Sequence, residues 1–147
     1  VDQSPAFLSD MFTRLKDFRD STVVIVTTSK VFDIGTLENS YLNNQSFVGL
    51  NTEFVDYADT ATQLFIQKYR VKTATEPNKY AFSGYDLCLY FSQLLAASGS
   101  LPSVQNWPVL KGTFKGFRFD APRGLGAENS YVYKLRIRNF ELLETKQ

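Results

Sequence analysis

The segment Glu76-Pro77-Asn78-Lys79-Tyr80-Ala81-Phe82-Ser83-Gly84-Tyr85-Asp86 constrains the chain most, because it separates two apolar-periodic helical segments. Pro77 fixes φ and carries no N–H, so the preceding helix must end before it. After it, Tyr80, Ala81, Tyr85, Leu87, Leu89, Tyr90, Phe91, Leu94 and Leu95 are apolar on nearly every side of a helix. A helix of that composition is expected to be buried all round. Gly99 is its expected left-handed stop, which makes it about five turns long.

The segments before it set the fold class. Ser4-Pro5 is a helix start, with a hydroxyl N-cap and Pro at the first helical position. Leu8, Met11, Phe12 and Leu15 follow at i, i+3, i+4 and i+7, and Phe18 extends that face to about Arg19. Thr22-Val23-Val24-Ile25-Val26-Thr27-Thr28 is β-branched and continuous, the pattern of a parallel strand covered on both faces. A short helix is expected over residues 36–42, and Ser46-Phe47-Val48-Gly49-Leu50 reads as a second short buried strand. Asp59 can cap the next helix, with Ala61, Leu64, Phe65 and Tyr69 on one face.

Beyond Gly99 the period changes. Residues 100–110 read as a loop with two prolines, and residues 113–119 as a half-buried strand flanking Arg118. Asp120-Ala121-Pro122-Arg123-Gly124-Leu125-Gly126 is a turn-rich loop. Gly124-Leu125-Gly126 lacks the third glycine and following helix of a phosphate loop, so it reads as a hairpin loop. Tyr131, Tyr133, Leu135 and Ile137 alternate with Lys134 and Arg136, giving a strand with one wet face. Asn139 turns the chain, and residues 140–143 close a C-terminal antiparallel β hairpin. The order is that of an α/β protein with a small β appendage. Two buried strands are too few for a sheet that covers both helical layers, so part of the fold is expected to lie outside these residues. Sheet edges and helix faces left open would then favour a homo-oligomer.

The chemistry is sparse. The 147 residues include no histidine, which removes the commonest general base and metal ligand. Cys88, the single cysteine, lies in the most apolar helix and is expected to be a buried, inert thiol. The net charge is +1 with dispersed basic residues, which argues against nucleic acid as a partner. Lys134, Arg136 and Arg138 alternate as a solvated strand face does. Asp33, Glu38, Glu53 and Asp56 offer possible carboxylate pairs, but a glycosidase needs two at a defined separation across a cleft, a geometry the sequence does not give. Asp86 is read as a structural acceptor near the start of its helix, favoured by the helix dipole. No cofactor, metal or catalytic residue is expected, and the chain is read as no enzyme. In open α/β sheets ligands bind beyond the carboxyl ends of strands. There the first strand offers Thr27, Thr28 and Ser29, and the second Asn51, Thr52 and Glu53, with Phe54 or Tyr57 placed to stack on a ligand. Thr28, Ser29, Thr52 and Phe54 are the candidate ligand-binding residues; the same residue types are also ordinary strand-end caps and turns.

Phe65 and Tyr69, then Pro77, Tyr80-Ala81, Gly84-Tyr85-Asp86, Gly99, Phe119-Asp120 and Asn129-Ser130-Tyr131-Val132-Tyr133 occur in an order that resembles the C-terminal part of type I periplasmic binding proteins. That family includes the branched-chain amino-acid receptors of ABC transporters. The likeness is nearest to Bacteroidetes-type lipoproteins in which a peptidoglycan-binding LysM module precedes the domain, although no LysM module is visible here. The resemblance implies a layered α/β/α fold in which residues 1–147 are one domain or the rear part of a receptor, with a first lobe ahead of Val1. It implies a solute-binding or sensing domain that closes on a small polar ligand such as an amino acid or peptide. It also implies a periplasmic or lipoprotein-anchored location and association with peptidoglycan or the envelope. The alternative is a structural or protein-interaction module of the envelope that has lost ligand binding. Thr27-Thr28-Ser29-Lys30-Val31-Phe32 stands where transporter receptors often have Gly and Asp, so the ligand type does not carry over.

Overall fold

In a computed structural model, the chain is described over residues 4–17, 24–28, 31, 47–101, 103, 107–120 and 126–145. It contains both helices and strands with a mixed sheet, an α/β protein in the broad sense. The helix expected over residues 36–42, together with Phe18 and Gly124-Leu125, lies outside the described residues. Two compact units form: Val1–Asn51 with Tyr133–Gln147, and Thr52–Val132.

The first unit contains α1 (Pro5–Asp17), β1 (Ile25–Thr28), β2 (Phe47–Asn51), β7 (Tyr133–Arg138) and β8 (Glu141–Glu144). The Ser4 carbonyl accepts the Leu8 N–H (3.1 Å) and its hydroxyl accepts that of Phe7 (3.4 Å), so the expected start of α1 is in place. The four strands form one sheet in the order β1-β2-β7-β8. β1 and β2 run parallel, and the other two pairs are antiparallel. The C-terminal hairpin is therefore no appendage. Its first strand extends the main sheet, with Gly49 opposite Leu135 and Asn51 opposite Tyr133. Leu8, Phe12, Val31 and Phe47 form the core, and the Phe12 and Phe47 rings meet edge-on at 5.6 Å. Burying each such side chain contributes about 1.5–3 kcal/mol.

β1 departs from the expected two-sided burial: Val24 is 54% and Val26 59% exposed. Its neighbour β2 is the strand buried on successive residues, from Phe47 through Gly49. The β-branched run marks strand propensity, but position decides how much of it is covered, and β1 is outermost among the described strands of its sheet. At the β7–β8 turn, Asn139 and Phe140 both take positive φ (50° and 65°), the pattern of a type I′ hairpin.

The second unit contains α2 (Thr60–Thr73), α3 (Lys79–Ser98), and the short strands β3 (Leu110–Lys111), β4 (Gly116–Phe117), β5 (Phe119–Asp120) and β6 (Glu128–Asn129). Asp59 caps α2 as expected, accepting the Thr62 N–H (2.9 Å) and hydroxyl (3.1 Å). Its buried face is Thr62, Phe65 and Ile66, with Tyr69 packed beside them, while Leu64 is exposed. α2 ends before Pro77, at Ala74 in the left-handed region. Asn78 then caps α3 through the Tyr80 and Ala81 N–H groups (3.0 and 3.1 Å), and Gly99 stops it at φ 68°.

α3 is not buried on every side. Phe82, Asp86, Tyr90 and Leu94, spaced four apart, are its buried stripe. Tyr80 is 73% exposed, and Leu87, Leu95 and Cys88 are exposed too. The expectation of an enclosed thiol fails with that of the enclosed helix. Composition shows that a helix is apolar, but packing partners choose the face that is covered.

Candidate functional site

The carboxyl ends of β1 and β2 lie side by side in the first unit, with Thr28 paired to Leu50. Thr28 is exposed at the last position of β1, and the Thr27 hydroxyl reaches the Thr28 carbonyl at 3.5 Å. Ser29 lies outside the described residues. Asn51 ends β2 and pairs with Tyr133. Thr52 and Phe54 belong to the second unit, Thr52 exposed and Phe54 half-buried. Tyr57 is exposed beyond them.

Inside the second unit, residues 53–54 are tied to a hairpin turn. The Phe54 N–H donates to the Phe114 carbonyl (2.9 Å), and Glu53 forms a bridge to Lys115. The Lys115 ammonium also meets the Glu53 carboxylate at 2.9 Å. The turn spans residues 112–115 between β3 and β4, closed by the Gly112 N–H on the Lys115 carbonyl (2.9 Å). Residues 113–119 are thus not one strand. Thr113 and Phe114 are buried in the turn, and β4 and β5 are separated at Arg118.

Asp86 organises this turn. It is 1% exposed on α3. Oδ1 accepts the Thr113 N–H (2.9 Å) and the Thr113 hydroxyl (2.8 Å). Oδ2 accepts the N–H groups of Phe114 (2.8 Å) and Lys115 (2.9 Å). Three successive backbone donors on one carboxylate make a backbone nest filled by a side chain of the same molecule. Asp86 is structural, as expected, but for a different reason: it serves a turn 27 residues away, and it sits in the second turn of α3. Gly112 allows the approach, because a Cβ there would lie 2.6 Å from Asp86 Cγ and 2.4 Å from the Lys115 carbonyl oxygen.

Behind the turn lies an aromatic cluster. The Tyr90 ring stacks on Phe117 (4.5 Å, 16°), with Phe119, Phe91 and Trp107 around it. The Tyr90 hydroxyl donates to the Pro108 carbonyl (2.9 Å), and burial raises its pKa above the ordinary phenol value. Asn129 joins β4 to β6: its amide donates to the Gly116 carbonyl (2.9 Å), and Oδ1 accepts the N–H groups of Arg118 (3.0 Å) and Tyr131 (3.1 Å). The Ser130 hydroxyl donates to Asp120.

Among the described residues no group of three or more His, Cys, Asp or Glu could hold a metal, and no helix is long and apolar enough to cross a membrane. Lys134 and Arg138 are exposed on the outer side of β7, and Arg136 is half-buried. No family model, curated protein or solved structure matches the chain.

Proposed function

We propose that the chain is a solute-binding or sensing domain without enzymatic activity. It is the rear portion of a type I periplasmic-binding-protein-like receptor of α/β/α layering, and it closes on a small polar ligand such as an amino acid or short peptide. Thr28, Ser29, Thr52 and Phe54 contact that ligand, with hydroxyls donating and accepting hydrogen bonds and the Phe54 ring stacking. The supporting observation is the parallel β1–β2 pair of the first unit, whose carboxyl ends bring an exposed Thr28 level with the end of β2. The chain passes between its two compact units twice, after Asn51 and after Val132, and those passages adjoin because Asn51 pairs with Tyr133. Paired passages of this kind suit a hinge. The location that goes with this reading is the periplasm or a lipoprotein anchor at the envelope.

A thermal-shift screen against the amino acids and di- and tripeptides tests it. A ligand at ~100 times its Kd adds about 2.7 kcal/mol, which raises Tm by about 5–10 °C. Thr28→Val and Thr52→Val should shrink that shift. No shift with any of these compounds overturns the proposal.

The second reading, a structural or protein-interaction module of the envelope, is favoured by α3. Its only charged residues are Lys79 and Asp86, Asp86 is buried, and Tyr80, Leu87 and Leu95 are exposed. Light scattering of the 147-residue chain, with and without Leu87→Glu, tests whether the exposed face of α3 is an interface. Self-association that Leu87→Glu abolishes supports the module; a monomer at high concentration opposes it.

A further inference from the structure

We propose that Asp86 is a positioning residue for the segment that holds Thr52 and Phe54, acting through the 112–115 turn. The significance for binding rests on the reading of Thr52 and Phe54 as ligand contacts; the mechanical link does not.

The link has three steps, all within the second unit. α3 carries Asp86 on its buried stripe beside Phe82 and Tyr90, so the carboxylate has a fixed origin. The carboxylate takes four hydrogen bonds from Thr113, Phe114 and Lys115, which leaves the turn little freedom to rotate. The two residues whose N–H groups Oδ2 holds are those that grip the next segment. Phe114 accepts the Phe54 N–H, and Lys115 bridges to Glu53 through backbone and side chain. Thr52 directly precedes these two anchored residues. Its range of positions therefore depends on a carboxylate it never touches.

The chemistry of each joint differs, which makes the chain of contacts separable. The first joint is buried and charge-assisted, where loss of the acceptor strands several donors at once. The second is a backbone bond supported by an ion pair whose side chains are about one-third exposed (34% and 39%), and water can replace that pair at small cost. Control thus lies at Asp86, not at the Lys115–Glu53 pair.

Amide hydrogen exchange followed by NMR on the full chain, without any ligand, tests this. In Asp86→Asn the amides of Thr113, Phe114, Lys115 and Phe54 should exchange about tenfold faster or more, while those of Phe65 and Ile66 in α2 change by less than about twofold. Thr113→Val removes only the hydroxyl bond and should accelerate the same four amides by a smaller factor. It decides the matter if Asp86→Asn does not fold. Glu53→Gln should leave Thr113, Phe114 and Lys115 unchanged. Faster exchange at the turn with Phe54 unaffected would overturn the inference. So would uniform acceleration through α2, which marks a general loss of stability. Because no ligand is present, a chain that binds no amino acid or peptide leaves this result standing.

Discussion

The two compact units are held together by different means. The first is an apolar assembly: α1 places Phe12 against Phe47, and a four-stranded sheet supplies its own ladder of backbone bonds. Among the described residues, the second has strands of only two residues each, so the ladders seen there are minimal. Side chains supply what the ladders lack. Asp86 serves the β3–β4 turn, Asn129 joins β4 to the start of the return segment, and Asp59 and Asn78 cap the helices. Short strands can be organised by polar side chains of high hydrogen-bonding capacity, provided every buried group has partners. A unit built that way has fewer redundant bonds, so single polar substitutions should matter more there.

Substitutions in each unit sharpen that contrast. Phe12→Ala should have the largest effect, a loss of about 3–5 kcal/mol in urea unfolding, because it empties the centre of the first core. Asp86→Ala should cost about 3 kcal/mol or more, since three backbone donors lose a buried acceptor. A smaller cost for Asp86→Ala than for an exposed polar change would break the comparison. Asp59→Ala should cost about 1 kcal/mol at neutral pH. The Thr62 N–H holds the Asp59 carboxyl below its ordinary value of 3.8, partly offset by desolvation. The folded pKa is lower than the unfolded one, so this stability is complete above the unfolded value. It is lost as pH falls through the folded one. The gap between wild type and Asp59→Ala should therefore narrow on acidification below about pH 4, read from urea midpoints. The smallest effect is expected at the hairpin tip, where Phe140 is 66% exposed at positive φ. Phe140→Gly should raise stability by up to about 1 kcal/mol, since glycine suits that backbone.

Local signals were legible in the residues themselves. Ser4-Pro5, Asp59, Pro77, Gly99 and Asn139 each act on the backbone within a few positions, and each stands where the sequence implied. Signals that depend on distant partners were not. Nothing near Asp86 announces Thr113, because the contact is made by folding 27 residues back. Nothing in Val24 and Val26 says that they stay exposed, and nothing in Cys88 says which side of α3 is covered. The strand expected over residues 113–119 failed for a related reason. Alternation of Phe117, Arg118 and Phe119 is real, but Gly112 and the buried carboxylate bend the chain just before it. Of the candidate ligand residues, the sequence placed Thr28 correctly at a strand end; the tethering of Glu53 and Phe54 to the turn left no sequence trace.

The pairing of Asn51 with Tyr133 makes the architecture nested: one unit is an insertion in the other, entering and leaving through neighbouring strands. An excision that splices Asn51 to Tyr133 through a tight turn would leave β2 and β7 as a continuous hairpin. The released segment, Thr52–Val132, would be a cassette transferable as one piece.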